Sequence, residues 1–197
     1  MKSIIHCISF LSISLLAGKA QAQTTWNIDK SHTSINFSVT HMMVSETDGK
    51  FKLFSGTIIS KNADFSDAQI EFLIDVNSIN TDDESRDEHL KKEDFFNAKQ
   101  FPQIKFKSSS FKKINGKNYL LEGDLTIRDV TKKVKFEVVY NGTIKDAKGN
   151  NKAGFKATSV INRTDYGLTW NKAIEAGGWA VSEEVNIIVN LELNQAK

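Results

Sequence analysis

The dominant pattern along the chain is an alternation of apolar and polar residues over short segments. A period of two buries one side of an extended strand and leaves the other side in water. Between Val134 and Tyr140, for example, Phe136 and Val138 alternate with Lys135 and Glu137. We therefore predict an all-β fold of about eight strands. The segments are residues 35–40, 50–60, 70–76, 104–106, 121–127, 134–140, 155–161 and 185–193.

Two segments interrupt the alternation. Residues 82–98 are strongly charged, and Asp82 or Asp83 can cap the start of a helix. We predict a short helix there that covers a barrel end or an open seam. Residues 162–181 mix charged and aromatic residues with glycines, which predicts a long loop between the last two strands. Loops of this length without regular structure are often functional.

One apolar face on eight antiparallel strands can be buried in a sandwich or in a closed barrel. An eight-stranded barrel is either filled by its side chains or holds one small ligand. Small residues at inward positions would leave room, and an apolar room favours an apolar guest. A core filled by phenylalanine side chains is the alternative, and the alternation alone leaves both open. The small residues are Gly56, Ser108, Gly123, Ala157 and Ser159.

The N-terminal segment has the build of a secretory signal peptide. Lys2 provides a positive start, residues 4–16 are mainly apolar, and Ala20–Ala22 has the small-residue pattern of a cleavage site. The apolar run is shorter than the about 20 residues that span a membrane. We predict a signal peptide over residues 1–22 and one exported domain over residues 23–197.

Charge and cysteine content argue against several classes of function. Of 26 basic residues, Lys2 and Lys19 leave with the signal peptide, so 24 basic residues face 24 acidic ones. Such a neutral chain lacks the electrostatic footprint of a nucleic-acid-binding protein. The only cysteine, Cys7, is also removed, which excludes disulfides and thiolate chemistry. The remaining histidines lack zinc-motif spacing, so we predict no metal site.

Four charged residues are candidates for contact with a polar ligand group. Arg86 and His89 are three residues apart and would share a helix face. Arg163 and Asp165 alternate with Thr164 and could point the same way. Alternatively, Arg86 and His89 are polar surface residues or take part in structural salt bridges, and Arg163 and Asp165 form a structural ion pair that holds the loop. Because no nucleophile elbow or phosphate loop accompanies them, we predict no catalytic residues, no enzymatic activity and no cofactor.

Several motifs, taken in order, resemble the YceI-like family. Together they extend from about residue 26 to 193, and their order and spacing carry the match more than any single one does. The motifs are Trp26-Asn27-Ile28-Asp29, Ser31-His32-Thr33, Arg86-Asp87-Glu88-His89-Leu90, Asp94-Phe95-Phe96, Phe101-Pro102-Gln103-Ile104-Lys105-Phe106, the run Gly123 to Thr131, and Ile161-Asn162-Arg163-Thr164-Asp165-Tyr166-Gly167.

The resemblance implies an extended, lipocalin-like, eight-stranded antiparallel barrel with a short helix covering one end. It further implies an exported bacterial protein, periplasmic or secreted, that binds a polyisoprenoid, an isoprenoid quinone or a similar amphiphile. Family members are often dimeric, and outward-facing Leu73, Val139 and Ile188 would suit an interface between two copies. We expect no stable membrane span and no nucleic-acid partner.

Together, the apolar inner face and the resemblance predict where a lipid would lie. The protein would be a carrier or reservoir; the alternatives are an enzyme acting on an isoprenoid-type lipid, or a structural or adhesive β-protein with a filled core. The predicted tail contacts are Phe37, Phe72, Phe106, Leu125, Phe136, Phe155 and Ala157. The predicted head-group contacts are Arg86, His89, Arg163, Asp165, Tyr166 and Trp170.

Overall fold

The computed structural model describes residues 23–175 and 177–196, so the predicted signal peptide lies outside the described residues. Within them the chain forms eleven β-strands, one α-helix and two short 3-10 helices. The strands are β1 (Thr24–Ile28), β2 (Ser34–His41), β3 (Ser45–Phe51), β4 (Phe54–Ser60), β5 (Gln69–Asp75), β6 (Ile79–Asn80), β7 (Gln103–Asn115), β8 (Asn118–Ile127), β9 (Val130–Lys145), β10 (Asn151–Asn162) and β11 (Glu184–Gln195). Helix α1 is Glu84–Leu90, and the 3-10 helices are Val76–Ser78 and Arg163–Tyr166.

The strands close into an eight-stranded antiparallel barrel, which confirms the predicted fold. The ring runs β1-β4-β5-β7-β8-β9-β10-β11, and β11 pairs back with β1, for example through Leu193 and Ile28. The first half of β11 pairs instead with β2, as in the pair Ile187 and Phe37. Strands β2, β3 and β6 therefore extend the wall at one end of the ring.

The up-and-down course of the chain gives the barrel two different ends. One end, here called the open end, carries the β2–β3 turn, the segment 81–102 with α1, and the β10–β11 loop at 163–183. The other, called the closed end, carries the β4–β5 loop at 61–68 and the β9–β10 turn at 146–150. Both segments that interrupt the alternation therefore lie at the open end.

Phe65 plugs the closed end of the barrel. Its side chain is 1% exposed, and its ring centroid lies 4.9 Å from Trp26 and 5.0 Å from Phe155. The residue has a φ of 61°, in the left-handed region. The loop is braced by the Asp67 carboxylate, which accepts hydrogen bonds from the Ser60 hydroxyl and from two backbone amides. The brace holds the backbone in the conformation that turns the ring inward.

Helix α1 is shorter than the segment predicted for it. Asp83 caps its first turn by accepting a hydrogen bond from the Arg86 amide, as expected for one of the two candidate caps. After Leu90 the chain folds into successive turns that bury Phe95. The charged segment 82–98 is thus part helix and part turn. No helix in the described part of the chain is long and apolar enough to cross a membrane.

Two of the small mid-strand residues do not leave empty space. A Cβ added to Gly123 would lie 2.5 Å from Phe106 Cζ, and one added to Gly56 would lie 2.7 Å from the carbonyl oxygen of Glu71. The expectation that these glycines open a cavity is wrong. Gly123 makes room for the ring of Phe106, and Gly56 allows close approach of β5.

The three outward-facing apolar residues do not form one patch. Leu73, Val139 and Ile188 lie on β5, β9 and β11, which are not neighbours in the barrel. Two of them have lysine as a cross-strand partner, Lys105 beside Leu73 and Lys156 beside Val139. The prediction of a shared apolar interface through these residues is therefore wrong.

Candidate functional site

The barrel encloses a cavity of about 730 Å³. Binding sites for small molecules typically measure about 300–1,000 Å³. Its walls are the inward faces of the barrel strands, and they are largely apolar. The phenylalanine side chains therefore line the interior and do not fill it. The alternation of apolar and polar residues is enough to predict an apolar interior. The volume of the cavity depends on how the barrel closes.

All seven residues predicted to contact a ligand tail line this cavity. They lie on six strands, and some are in mutual contact: the rings of Phe106 and Phe136 meet edge to face at 5.6 Å. Other lining residues, such as Ile35, Ile70 and Leu121, belong to the same alternating sets. The seven are Phe37, Phe72, Phe106, Leu125, Phe136, Phe155 and Ala157.

The cavity extends along the direction of the strands. On β11 its lining extends from Val185 to Leu193, a path of ~26 Å at ~3.3 Å per residue. A strand tilt of about 35–45° reduces this to ~20 Å along the barrel axis. An extended hydrocarbon chain on the order of 20 Å therefore matches the available depth.

The two ends of the cavity differ in access to solvent. At the closed end its lining includes Phe65 and Leu193, which are 1% and 0% exposed. At the open end the lining includes His41, Asp83 and Lys92, all of which are exposed. A ligand would enter at the open end, with its tail toward Phe65.

Arg86 lies in the cavity lining at the open end and is held in place by Thr81. Its Nε donates to the Thr81 hydroxyl and its Nη2 to the Thr81 carbonyl, both at 2.8 Å. The Thr81 amide and hydroxyl in turn donate to the buried carboxylate of Asp87. Asp83 contributes a longer ion pair, 3.8 Å from Arg86 Nη1. The guanidinium of Arg86 is thus positioned by residues of α1 and by Thr81, which precedes the helix.

His89 joins the α1 segment to the β10–β11 loop. Its Nε2 lies 2.9 Å from an Asp94 carboxylate oxygen. Its ring meets Trp170 edge to face at a centroid distance of 5.2 Å, and Phe95 at 5.0 Å. Both His89 and Trp170 line the cavity.

Arg163 lines the cavity from the β10–β11 loop and is 4% exposed. Burial lowers the pKa of its guanidinium, and the charge of Glu183 partly offsets this effect. Its donors reach backbone carbonyls across the loop, so the side chain fixes the loop's course. The acceptors are the carbonyls of Ser182 (2.8 Å), Leu168 (2.6 Å), Trp170 (2.8 Å) and Val181 (3.4 Å).

Two predicted head-group residues lie outside the cavity lining. Asp165 pairs with Lys132 on the outer surface at 3.1 Å, and not with Arg163. Tyr166 is 2% exposed, and burial together with the Asp165 charge raises its pKa to about 12. Both positions differ from the prediction. The chain forms a 3-10 helix at Arg163–Tyr166, so the strand alternation that would have placed residues 163 and 165 on the same side ends before them.

One polar cluster on the barrel wall was missed by sequence reasoning. Asp29, His32 and Glu192 present ligand atoms within 4.8 Å of one another, a grouping that could suit a metal ion. Lys152 Nζ lies 3.0 Å from Asp29 Oδ2 and 2.7 Å from Glu192 Oε1. This hydrogen bond holds the pKa of Asp29 well below its usual range. The ammonium already supplies the positive charge, so the cluster acts as a clamp between β1, β10 and β11.

The chain resembles known proteins over nearly all the described residues. The family model for the YceI-like domain matches residues 26–193. A UPF0312 protein of Staphylococcus aureus strain N315 is 34% identical over 172 residues, which cover 87% of this chain and 98% of that protein.

Solved structures show the same architecture. The Campylobacter jejuni YCEI protein is 29% identical, with a TM-score of 0.69, over 86% of this chain and 97% of that one. Burkholderia cenocepacia BcnA is 24% identical, with a TM-score of 0.72, over 84% and 98%. A polyisoprenoid binding domain from Saccharophagus degradans is 15% identical, with a TM-score of 0.62, over 87% and 98%. The last two likenesses concern the fold alone.

Proposed function

The chain belongs to the YceI-like domain family, and on this basis we propose that it is an exported carrier or reservoir for a long apolar or amphiphilic lipid. The ligand class we favour is an isoprenoid or isoprenoid quinone. The observation that supports this most is the apolar cavity of about 730 Å³, closed by Phe65 and accessible at the opposite end. The solved polyisoprenoid binding domain with the same fold agrees with this ligand class.

The apolar wall supplies the affinity that such a function needs. Each buried methylene contributes about 0.8 kcal/mol, so a hydrocarbon tail along the cavity requires few polar contacts. Phe37, Phe72 and Phe155 would contact the tail. Arg86, His89 and Trp170, at the open end, would lie near the head group.

Export would place the carrier in the periplasm or outside the cell. We propose cleavage after Ala22, so that the mature chain begins at Gln23. N-terminal sequencing of the native protein tests this, and a chain that retains residues 1–22 would contradict it. A homodimer is also proposed, from the family resemblance alone; a monomeric mass by light scattering would count against it.

An enzyme acting on a lipid head is the second candidate. Ser85, His89 and Asp94 lie near one another in sequence, and the first two line the cavity. The hydrogen bond of His89 goes to Asp94, and among the described residues none joins Ser85 to His89. Activating a nucleophile requires that bond, so we favour binding without chemistry.

Native mass spectrometry of the protein purified from its own host tests the carrier proposal. We expect an adduct of one lipid per chain that is lost on denaturation. Lipid extracted from the same sample would identify its class. A protein that carries no lipid from its host and takes up none on reconstitution would overturn the proposal.

A further inference from the structure

Cationic side chains outnumber carboxylates in the cavity wall, and all of these charged side chains lie at the open end. Arg86, Lys92 and Arg163 are cationic, whereas Asp83 is the only carboxylate among the described lining residues. Asp83 already accepts the capping hydrogen bond from the Arg86 amide. Three cations therefore face one carboxylate where a ligand's head group would rest.

The guanidinium of Arg163 is buried without a carboxylate partner. Among the described residues none forms an ion pair with it; Glu183, whose charge reaches it, accepts a hydrogen bond from Asn162. A buried charge is costly unless it is paired, and carbonyl dipoles compensate it only in part. Its Nη2 has one acceptor, the Val181 carbonyl at 3.4 Å, which leaves one of its two N–H groups for a ligand.

The other two cations, Arg86 and Lys92, come from α1 and the turn after it, and both have N–H groups available for a ligand. Arg86 uses Nε and one N–H of Nη2 on Thr81. Its Nη1 lies 3.8 Å from Asp83, an ion pair beyond hydrogen-bond distance, so three N–H groups of the planar fork make no hydrogen bond within the described part of the chain. A guanidinium fork matches the oxygens of a carboxylate or phosphate. Lys92 is exposed and forms no ion pair within the described part of the chain. The contact between His89 and Trp170 brings this segment against the loop that carries Arg163.

We propose that the lipid carried by this protein has an anionic head group of the phosphate or carboxylate class. Arg86 and Lys92 would bind it from α1 and the turn after it, and Arg163 from the β10–β11 loop. This inference rests on the proposed carrier function. Within the ligand class proposed above, it favours an isoprenoid phosphate over an isoprenoid quinone, whose head group carries no charge.

Two ligands with the same tail and different heads test the inference. Isothermal titration would compare geranylgeranyl phosphate with geranylgeraniol, and with inorganic phosphate alone. We expect the phosphate ester to bind about tenfold more tightly than the alcohol, the usual scale of charge-assisted hydrogen bonding. Inorganic phosphate should show no measurable binding, because the tail supplies most of the affinity.

Variants that remove equal charge at different places test whether Arg86 and Lys92 cause the preference for the phosphate ester. Arg86→Gln/Lys92→Gln should reduce the preference for the phosphate ester over the alcohol to about twofold or less. The control Lys105→Gln/Lys156→Gln removes the same charge from exposed positions on the outside of the barrel and should keep the full preference. Lys92→Gln alone, which removes no described ion pair or hydrogen bond, should give an intermediate preference even where the double variant is poorly folded.

The outcomes separate this inference from the carrier proposal. Equal binding of the two lipids by the wild type, or an undiminished preference in both Lys92→Gln and the double variant, would overturn the anionic head group and leave the carrier intact. Binding of inorganic phosphate as tight as that of the ester would also overturn it, by showing an anion site that does not depend on a lipid. Failure of both lipids to bind would overturn the carrier function itself.

Discussion

The ring of Phe106 lies against the α-carbon of Gly123, so closely that any side chain at position 123 would collide with it. An added Cβ would come within 2.5 Å of both Phe106 Cζ and the carbonyl oxygen of Lys107. Phe37 has the same relationship to Gly49 across β2 and β3. Glycines in the wall thus let large rings lie flat against the sheet, and the open volume remains at the centre of the barrel.

Gly123→Ala should therefore destabilise the barrel. The Lys107 carbonyl belongs to the backbone and cannot move aside cheaply, so we expect a loss of about 1–3 kcal/mol in the free energy of unfolding. Gly154→Ala is the control, because the nearest atom to its added Cβ is 3.5 Å away, an ordinary contact. Denaturant titration measures both. Equal stability of the two variants would contradict the close approach.

Arg163→Lys should loosen the β10–β11 loop. A lysine ammonium has only three N–H donors and cannot bond all four carbonyls that the guanidinium joins, so we expect a loss of about 2–3 kcal/mol in the free energy of unfolding. Asp165→Asn should cost less than about 1 kcal/mol, because its ion pair with Lys132 is exposed. Hydrogen exchange should show faster exchange of loop amides in the first variant only. Similar losses in both would indicate that Arg163 and Asp165 act as a pair after all.

The Asp29 clamp predicts a specific pH dependence. The pKa of the Asp29 carboxyl is depressed in the folded state, so ionised Asp29 stabilises the fold at any pH above the ordinary pKa of 3.8. This contribution is lost as the pH falls below 3.8 toward the depressed pKa of the folded state. Asp29→Asn should thus be less stable than wild type at neutral pH, with the difference shrinking below about pH 4. Urea titration at several pH values measures this.

Asp124→Asn provides the comparison for that titration. Asp124 pairs with Lys133 at 3.1 Å, but both side chains are exposed. The substitution should change stability by less than about 1 kcal/mol at every pH. A pH-independent deficit in Asp29→Asn would show that its hydrogen bonds matter and its charge does not.

Phe65→Ala should weaken the closed end. Loss of a buried phenylalanine typically costs about 3–5 kcal/mol. Leu53→Ala is the control, since Leu53 is 60% exposed, and it should change stability by about 0.5 kcal/mol or less. Thermal unfolding compares the two. If Phe65→Ala melted close to wild type, the ring would not be the plug described above.

The barrel could be predicted from sequence because its signal is local. Alternation assigns Phe136 and Leu125 to the inner face without knowledge of their neighbours, and all seven tail contacts predicted in this way line the cavity. The alternation could not distinguish a filled core from a hollow one. Whether the Phe106 ring fills the centre or lies flat against the wall depends on Gly123 of the neighbouring strand. Gly123 pairs with Ser108 and not with Phe106, so the contact becomes visible only in the folded barrel.

The open end was only partly predictable, because the alternation ends there. Asn162 caps a 3-10 helix, after which Arg163 turns inward while Asp165 turns out to Lys132. Phe65 was missed because it lies in a loop and points inward through a left-handed backbone conformation. The Asp29–Glu192 cluster joins distant parts of the chain, and only strand pairing brings them together.

Titration of geranylgeraniol into wild type and Ala157→Phe, beside their melting temperatures, tests most directly whether the cavity holds a lipid. Ala157 lines the cavity on β10, so a phenylalanine there should occupy the space of the tail. We expect wild type to bind one lipid per chain, and the variant to melt within a few degrees of it but bind at least about tenfold more weakly. A wild type that binds no lipid, with a variant that unfolds readily because the interior is already full, would contradict the central claim.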